Sequence, residues 1–107
     1  MKNIAPAELA GWLEDPDRSK PVLLDVREPW EVQACSIPGS VHIPMNQVPA
    51  RAQEIDPASE VVVICHHGHR SMQVGLFLER QGFGSVHNLA GGVDLWAKTV
   101  DPSMPVY

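Results

Sequence analysis

Residues 65–71, CHHGHRS, place a cysteine, three histidines, a glycine and an arginine together, and these residue types could do chemistry. Cys65 ends an apolar, β-branched run at residues 60–65, and a helical pattern follows, so its thiol is expected where a strand ends and a helix begins. Free backbone N–H groups and the helix dipole favour an anion there. Gly68 permits the positive φ that turns loop amides inward, and Arg70 adds a permanent cation. The segment predicts a thiolate nucleophile in an anion-binding cradle, although a cysteine at a strand end without this context is usually a small core residue.

The size of the loop bears on the reaction. Four residues separate Cys65 from Arg70, one fewer than in the Cys-x5-Arg loop that seats a phosphate against a thiolate. The smaller loop has room for one extra sulfur atom on Cys65 and little room for a phosphoryl group with its leaving group. The spacing therefore favours sulfur transfer over phosphoryl transfer.

Strand patterns alternate with helical patterns along the chain. Residues 22–26 and 60–65 are apolar on both faces, which is typical of strands in a parallel sheet covered by helices, and residues 40–43 and 85–88 are weaker strand candidates. Helical patterns begin at Pro6, Pro29 and Pro49, span residues 71–81, and follow Gly91-Gly92. The predicted fold class is α/β: one domain over residues 1–107, with a central parallel sheet of about five strands flanked by helices on both faces.

The helical patterns also predict which side chains face the core. These are Leu9, Trp12 and Leu13 in the first helix, Ala52 and Ile55 in the third, Met72, Leu76 and either Phe77 or Leu78 in the fourth, and Val93 and Trp96 in the last. Gly82 is expected to stop the fourth helix.

Composition excludes several classes of protein. With 107 residues, 44% apolar and 20% charged, the chain has room for one domain and is unlike a disordered protein. A net charge of −5 argues against a nucleic-acid partner, and no apolar stretch approaches the roughly 20 residues of a membrane span. Two cysteines and a start without a hydrophobic signal core favour a reduced, cytoplasmic location.

Four segments, in order, resemble the single-domain rhodanese-like sulfurtransferases. They are residues 23–28 (LLDVRE) with Glu31, residues 37–44 (IPGSVHIP), the loop of residues 65–71, and residues 88–96 (NLAGGVDLW). Each segment is modest evidence alone, but together, at ordinary spacing, they are highly specific. The resemblance covers nearly the whole chain, with a departure at Cys35-Ser36, where the family more often has Gly-His.

The resemblance implies a two-step sulfur transfer without a cofactor. The Cys65 thiolate would attack the outer sulfur of thiosulfate or a persulfide donor, and the new persulfide would pass that sulfur to cyanide, a thiol or a protein thiol, with ping-pong kinetics. Arg70 would orient the small anionic donor, with Arg27 as a second candidate. Backbone amides would stabilise the persulfide anion in a loop made of His66, His67, Gly68, His69, Arg70 and Ser71.

Two other functions stay open. One is a non-enzymatic rhodanese-like module that carries sulfur on Cys65 or binds a partner protein. The other is a small phosphatase or arsenate reductase on the same fold, which the short loop disfavours.

Three further side chains have both a chemical and a structural interpretation. Asp25, at the end of a strand, is expected to hold loop amides or an arginine rather than to act as a general base. Cys35 is expected to be an unreactive surface or half-buried residue rather than a resolving thiol for Cys65. Trp30 has almost no apolar partner at helical spacing and is expected at the rim of the pocket.

Other polar residues are expected to be structural. Arg27 is expected to form a surface ion pair with Glu28 or Glu31, an arrangement worth little energy. His42 and His87 lie in or beside strand patterns, where a hydrogen-bonded histidine is the ordinary outcome.

The loop histidines, His66, His67 and His69, suggest a metal site, since imidazole and thiolate bind zinc and copper. Adjacent ligands on a curled loop rarely converge on one ion, so we predict no metal. Most of the histidine charge is absent at pH 7. We therefore expect turnover with a dianionic donor to rise as pH falls from about 8 toward 6.

Overall fold

The strands form one fully parallel sheet. In the computed structural model, which describes all 107 residues, β1 is Lys2–Ile4, β2 is Val22–Asp25, β3 is Val41–His42, β4 is Glu60–Ile64 and β5 is Ser85–Leu89. Their order across the sheet is β1-β5-β4-β2-β3, and every neighbouring pair is parallel. The predicted α/β class and the five-stranded parallel sheet are confirmed.

β1 is the strand that the sequence pattern did not indicate. It has three residues, of which Ile4 alone is buried, so it lacks any apolar run. It pairs with β5, placing Lys2 opposite His87 and Ile4 opposite Leu89. Pairing with a neighbouring strand, rather than its own sequence, makes this segment extended.

The chain has five helices: α1 Pro6–Glu14, α2 Pro29–Ala34, α3 Val48–Arg51, α4 His69–Arg80 and α5 Gly92–Thr99, with 3₁₀ turns at Met45–Gln47 and Ala52–Glu54. The first four connect successive strands, and α5 follows β5. α1 and α2 start at the predicted prolines, and α3 starts one residue before Pro49. A bilayer-spanning helix would need greater length and more apolar character than any of the five has.

The sheet separates two apolar cores. Side chains alternate along β4, so Val62 and Ile64 join one core while Val61 and Val63 join the other. Helices cover both faces, as predicted, because each core includes helical residues: Leu9, Val93 and Trp96 in the first, and Val48, Val74 and Leu78 in the second. β4 is therefore buried between layers, and its carboxyl end lies between the ends of β2 and β5.

α4 begins at His69, two residues before the predicted start, because Gly68 at φ +101° turns the chain directly into the helix. It ends at Arg80, and Gly82 adopts a left-handed conformation just beyond that end, at φ +98°. The prediction that Leu76 faces the core is wrong, since this side chain is 46% exposed. It falls outside the buried stripe of the helix, which follows spacings of three and four residues: Ser71, Val74, Gly75 and Leu78.

Candidate active site

Cys65 is the first residue after β4, and its thiol points into the loop that follows. Sγ accepts a hydrogen bond from the backbone N–H of Gly68 at 3.0 Å, and it lies 3.3 Å from Oγ of Ser71. The residue is 1% exposed. Both polar neighbours of the sulfur thus belong to the loop of residues 65–71, on the side that the sequence predicted.

The loop amides are almost all free to bind an anion. Gly68 N–H donates to the sulfur, whereas the N–H groups of five other residues donate to no protein acceptor: His66, His67, His69, Arg70 and Ser71. Three of these belong to the first turn of α4, where no intrahelical acceptor exists. Unpaired backbone N–H groups on a loop are the donors that an anionic sulfur or oxygen atom requires.

Ser71 links the thiol to a buried amide on β5. Its hydroxyl donates to Oδ1 of Asn88, and Nδ2 of Asn88 donates to the carbonyl of Gly68 at 3.3 Å and to Oδ1 of Asn3 at 2.9 Å. A hydroxyl has one proton to donate. While Ser71 donates to Asn88, it can only accept a hydrogen bond from the neutral thiol, and it can donate one to the thiolate once the thiol has lost its proton. The hydrogen bond between Ser71 and Cys65 can therefore form with either charge state of the sulfur.

The amino terminus of α5 holds the loop from the other side. The N–H groups of Val93 and Asp94 donate to the carbonyls of Cys65 and His66 at 2.9 and 3.1 Å. Gly92 precedes them at φ +58°, and a Cβ there would collide with both carbonyls. Glycine is therefore required at position 92, because the backbone of α5 contacts the loop backbone there.

Arg70 forms a bidentate ion pair with Glu31 of α2. Its two terminal nitrogens lie 2.6 and 2.7 Å from the carboxylate oxygens, and the Glu31 side chain is 4% exposed. The same carboxylate accepts hydrogen bonds from Glu28 N–H at 2.9 Å and from the Tyr107 hydroxyl at 2.7 Å. The Arg70 guanidinium holds the pKa of Glu31 at about 2, while burial raises the pKa of Tyr107 to about 12. Glu31 is therefore ionised and Tyr107 protonated at neutral pH.

Arg27 is fully buried and faces Asp25 instead of solvent. Its side chain donates to the Asp25 carboxylate at 2.7 and 2.9 Å, to the carbonyl of Cys35 at 2.7 Å, and to the Tyr107 hydroxyl at 2.9 Å. The expectation of a surface pair with Glu28 or Glu31 is wrong. Because its guanidinium already donates to these protein acceptors, Arg27 supports this edge of the sheet instead of offering its N–H groups to a donor. Asp25 holds an arginine, as the sequence indicated.

Two of the three loop histidines stack on each other. His66 stacks on His67 at 3.9 Å and on Tyr107 at 4.1 Å between ring centroids, and burial lowers its pKa. Ligand atoms of His66, His67 and Asp94 lie within 4.8 Å of one another. An ion binds imidazole nitrogen in the plane of the ring, but the His66 and His67 planes differ by only 26° and face each other. A single ion cannot lie in both of these nearly parallel ring planes while it is close to both rings, so the stacked pair is poorly arranged for a shared metal.

The other thiol lies on the opposite side of the sheet. Cys35 is buried, with 8% exposure, in the core that contains Leu9, whereas Cys65 belongs to the core that contains Val74. The expectation of a surface or half-buried position is therefore wrong. The two thiols lie in different cores and form no disulfide, so the structure gives no support to Cys35 as a resolving thiol for Cys65.

Trp30 and two strand histidines lie outside the loop. Trp30 is 62% exposed and contacts Tyr107 edge-on at 5.5 Å, beside the ion pair of Arg70. His42 hydrogen-bonds to the carbonyl of Arg27 at 2.7 Å, and His87 to Glu60 at 3.1 Å, so both have structural partners.

Sequence reasoning did not single out Asn88 or Tyr107, which the structure places next to the loop. A polar residue on a buried strand was the available signal for Asn88, which is 2% exposed. Tyr107 gave no signal, since its partners Arg27 and Glu31 lie about 80 and 76 positions away in the chain.

Most of the chain matches a known protein family: a model of the rhodanese-like domain matches residues 5–99. The chain belongs to the rhodanese-like domain family. The crystal structure of SSP1007 from Staphylococcus saprophyticus superposes with a TM-score of 0.84 at 31% identity, covering 94% of this chain and 97% of that one. The resemblance found in the four sequence segments is thereby confirmed.

Several curated relatives carry sulfurtransferase names. The putative sulfurtransferase YtwF of Bacillus subtilis is 38% identical over 102 residues, covering 95% of this chain and 96% of that protein. The thiosulfate sulfurtransferase GlpE of Pseudomonas syringae is 37% identical over 78 residues, covering 73% and 74%. The chain spans only 38% of another relative, the chloroplastic rhodanese-like/PpiC domain-containing protein 12 of Arabidopsis thaliana, at 39% identity.

Proposed function

We propose that this rhodanese-like domain transfers sulfane sulfur through a persulfide on Cys65. The observation that carries the proposal is the hydrogen bond of 3.0 Å from Gly68 N–H to Sγ, in a loop whose other amides have no protein acceptor. Amides that are free in this way are available to stabilise a second sulfur atom bearing negative charge. The names of YtwF and GlpE support the same reaction class.

The first step loads the sulfur. The Cys65 thiolate attacks the outer sulfur of thiosulfate; an S–S bond forms to Sγ, the old S–S bond breaks, and its electron pair leaves with sulfite. With a neutral persulfide donor, RS–SH, the same attack releases RS⁻ and leaves the persulfide on Cys65. The second step unloads it: cyanide attacks the outer sulfur, leaves as thiocyanate, and returns the electron pair to the Cys65 thiolate. Thiols and protein thiols are the corresponding biological acceptors.

The neighbouring residues have distinct parts in this cycle. Ser71 donates a hydrogen bond to the charged sulfur, and it donates to Asn88 instead when the thiol is neutral, because a hydroxyl has one proton to donate. Val93 and Asp94 fix the carbonyls of Cys65 and His66, so the loop keeps its curl when the charge changes. Arg27 and Asp25 support the adjacent strand end from a buried position.

Intact-protein mass spectrometry tests the proposal. After incubation with thiosulfate or a persulfide donor, the protein should gain one sulfur atom and lose it on addition of cyanide. Cys65→Ser must abolish the gain, and Cys35→Ser, which removes the other thiol, must retain it. Gain of sulfur by Cys65→Ser, or none by the wild-type protein with any donor, would refute the proposal. Hydrolysis of an aryl phosphate as fast as sulfur transfer would instead favour a phosphatase.

A further inference from the structure

Arg70, the cation expected to orient the sulfur donor, is already paired with a carboxylate of the protein. Arg70 contacts both oxygens of Glu31 at 2.6 and 2.7 Å, in the bidentate geometry that a guanidinium would otherwise offer an anionic ligand. Glu31 is held in place by Glu28 N–H and by the Tyr107 hydroxyl. A donor that requires Arg70 must therefore displace a fixed, nearly buried carboxylate.

The arginine and lysine side chains that flank the site on the strand end and on α5 also have acidic partners. Arg27 pairs with Asp25 at 2.7 Å, and Lys98 pairs with Asp94 at 2.9 Å. The exposed ring of His67 faces the same Asp94 at 3.8 Å. The whole chain has a net charge of −5. The loop amides can stabilise charge on the single sulfur that is transferred, but Arg70, Arg27 and Lys98 all have acidic partners, so none of them is free to serve a second charge on the donor.

The two classes of donor differ in this second charge. Thiosulfate carries two negative charges, one of them on the sulfonate group that leaves as sulfite. Thiosulfonates carry one, and neutral alkyl persulfides carry none on the leaving group. The cost of bringing a second charge to a site without a free cation therefore falls on thiosulfate alone.

We propose that Glu31 is a specificity-determining residue, which withholds Arg70 from the substrate and so favours mono-anionic and neutral sulfane-sulfur donors over dianionic thiosulfate. This inference rests on the proposed sulfur transfer through Cys65. A purely structural role for Glu31 in starting α2 would affect all donors alike, whereas charge withholding separates them by donor charge.

The test compares kcat/KM for thiosulfate and benzenethiosulfonate, both with cyanide as acceptor. Their sulfur-transfer steps are equivalent: the thiolate of Cys65 takes the outer sulfur, and sulfite or benzenesulfinate leaves with the electron pair. In Glu31→Gln, kcat/KM for thiosulfate should rise about tenfold or more, and that for benzenethiosulfonate should change less than about twofold. Glu14→Gln, an exposed change of equal charge at the end of α1, should alter neither.

Arg70 should mediate the effect. In the Arg70→Gln background, adding Glu31→Gln should no longer raise kcat/KM for thiosulfate relative to benzenethiosulfonate. A gain that persists without Arg70, or equal changes for both donors in Glu31→Gln, would overturn the inference.

A measurement on the wild-type protein keeps the inference testable if Glu31→Gln does not fold. Because Arg70 is paired with Glu31, the negative electrostatic potential at the loop should repel a dianion. Salt screens this repulsion, so kcat/KM for thiosulfate should rise as NaCl increases from about 20 to 300 mM. A fall over this range would show that a free cation attracts thiosulfate, and would overturn the inference. Failure of the proposed function has a different signature, since no donor would then load sulfur on any variant.

Discussion

Gly92→Ala is the substitution for which the structure gives the most definite expectation. The added Cβ would collide with the carbonyls of Cys65 and His66, which accept the hydrogen bonds from Val93 and Asp94. The φ of +58° is also a left-handed conformation that alanine disfavours. The substitution therefore separates α5 from the loop that holds Cys65.

The expected loss of stability can be estimated from these contacts. The left-handed backbone costs an alanine about 1–2 kcal/mol, and each lost hydrogen bond costs about 1 kcal/mol. Gly92→Ala should therefore lower the free energy of unfolding by about 3–4 kcal/mol. Gly82→Ala is the matched control: its φ of +98° is also left-handed, but a Cβ there meets nothing within 4 Å. It should cost about 1–2 kcal/mol.

Urea unfolding at neutral pH measures both values, and the rate of sulfur loading on Cys65 measures the functional effect. Gly92→Ala should slow loading, because the loop loses the contacts that fix two of its carbonyls, while Gly82→Ala should load at the wild-type rate. Equal losses of stability in the two variants would refute the reasoning, since they would show that the contact between α5 and the loop contributes nothing.

Three further predictions concern the loop and its charges. Ser71→Ala should slow sulfur loading by about tenfold, measured by quenched mass spectrometry, because the charged sulfur loses a hydrogen-bond donor. Glu31 has a pKa lowered to about 2 from an ordinary value of 4.5, so its pairing should contribute up to about 3 kcal/mol of stability above pH 4.5 and lose it as pH falls toward 2. In urea unfolding, the difference in free energy of unfolding between the wild-type protein and Glu31→Gln should decrease over that pH range. Turnover of thiosulfate relative to benzenethiosulfonate should rise as pH falls from about 8 to 6, as loop histidines gain charge. Because burial lowers the pKa of His66, His66→Asn should retain this rise.

Each of these predictions has a contradicting result. Ser103→Ala, an exposed change of the same kind, controls for the loss of a hydroxyl, and equal rates in the two serine variants would exclude a role for Ser71. A constant stability difference between wild type and Glu31→Gln from pH 6 to pH 2 would mean that the carboxylate charge is not what stabilises the pair. A donor ratio independent of pH would exclude the histidines from donor binding.

Local signals in the sequence were sufficient for the loop and the central strand. The apolar run of β4 requires burial on both faces, and the glycine three residues after Cys65 requires a turn, so the position of the thiol could be predicted from adjacent residues alone. The exposure of Leu76 could not be predicted in this way, because two apolar stripes overlap on α4 and only the packing of the helix decides which of them faces the sheet. β1 was missed because it is extended only through its pairing with β5.

The charge partners were beyond sequence reasoning for a different reason. Glu31 and Arg70 lie 39 positions apart, and no periodicity connects them. Arg27 was expected to use a nearby glutamate at the surface, but the fold buries it and supplies Asp25, two residues away, on the same strand end. Residue types showed that cations and carboxylates would be near the loop, whereas their pairing depends on how α2 and α4 pack at the edge of the sheet.

The loop and its cation differ in how firmly they are held, and this difference has a consequence for specificity. The loop backbone is fixed by α5 through two amides and by Asn88 of β5, so its free N–H groups are oriented before any charge develops on sulfur. The hydrogen bonds of the Arg70 guanidinium all go to Glu31, and its side chain is 32% exposed. A change at Glu31 can therefore redirect the guanidinium while the amides around Cys65 stay in place. Donor preference in such a site can be altered by one ion pair without altering the stabilisation of the persulfide.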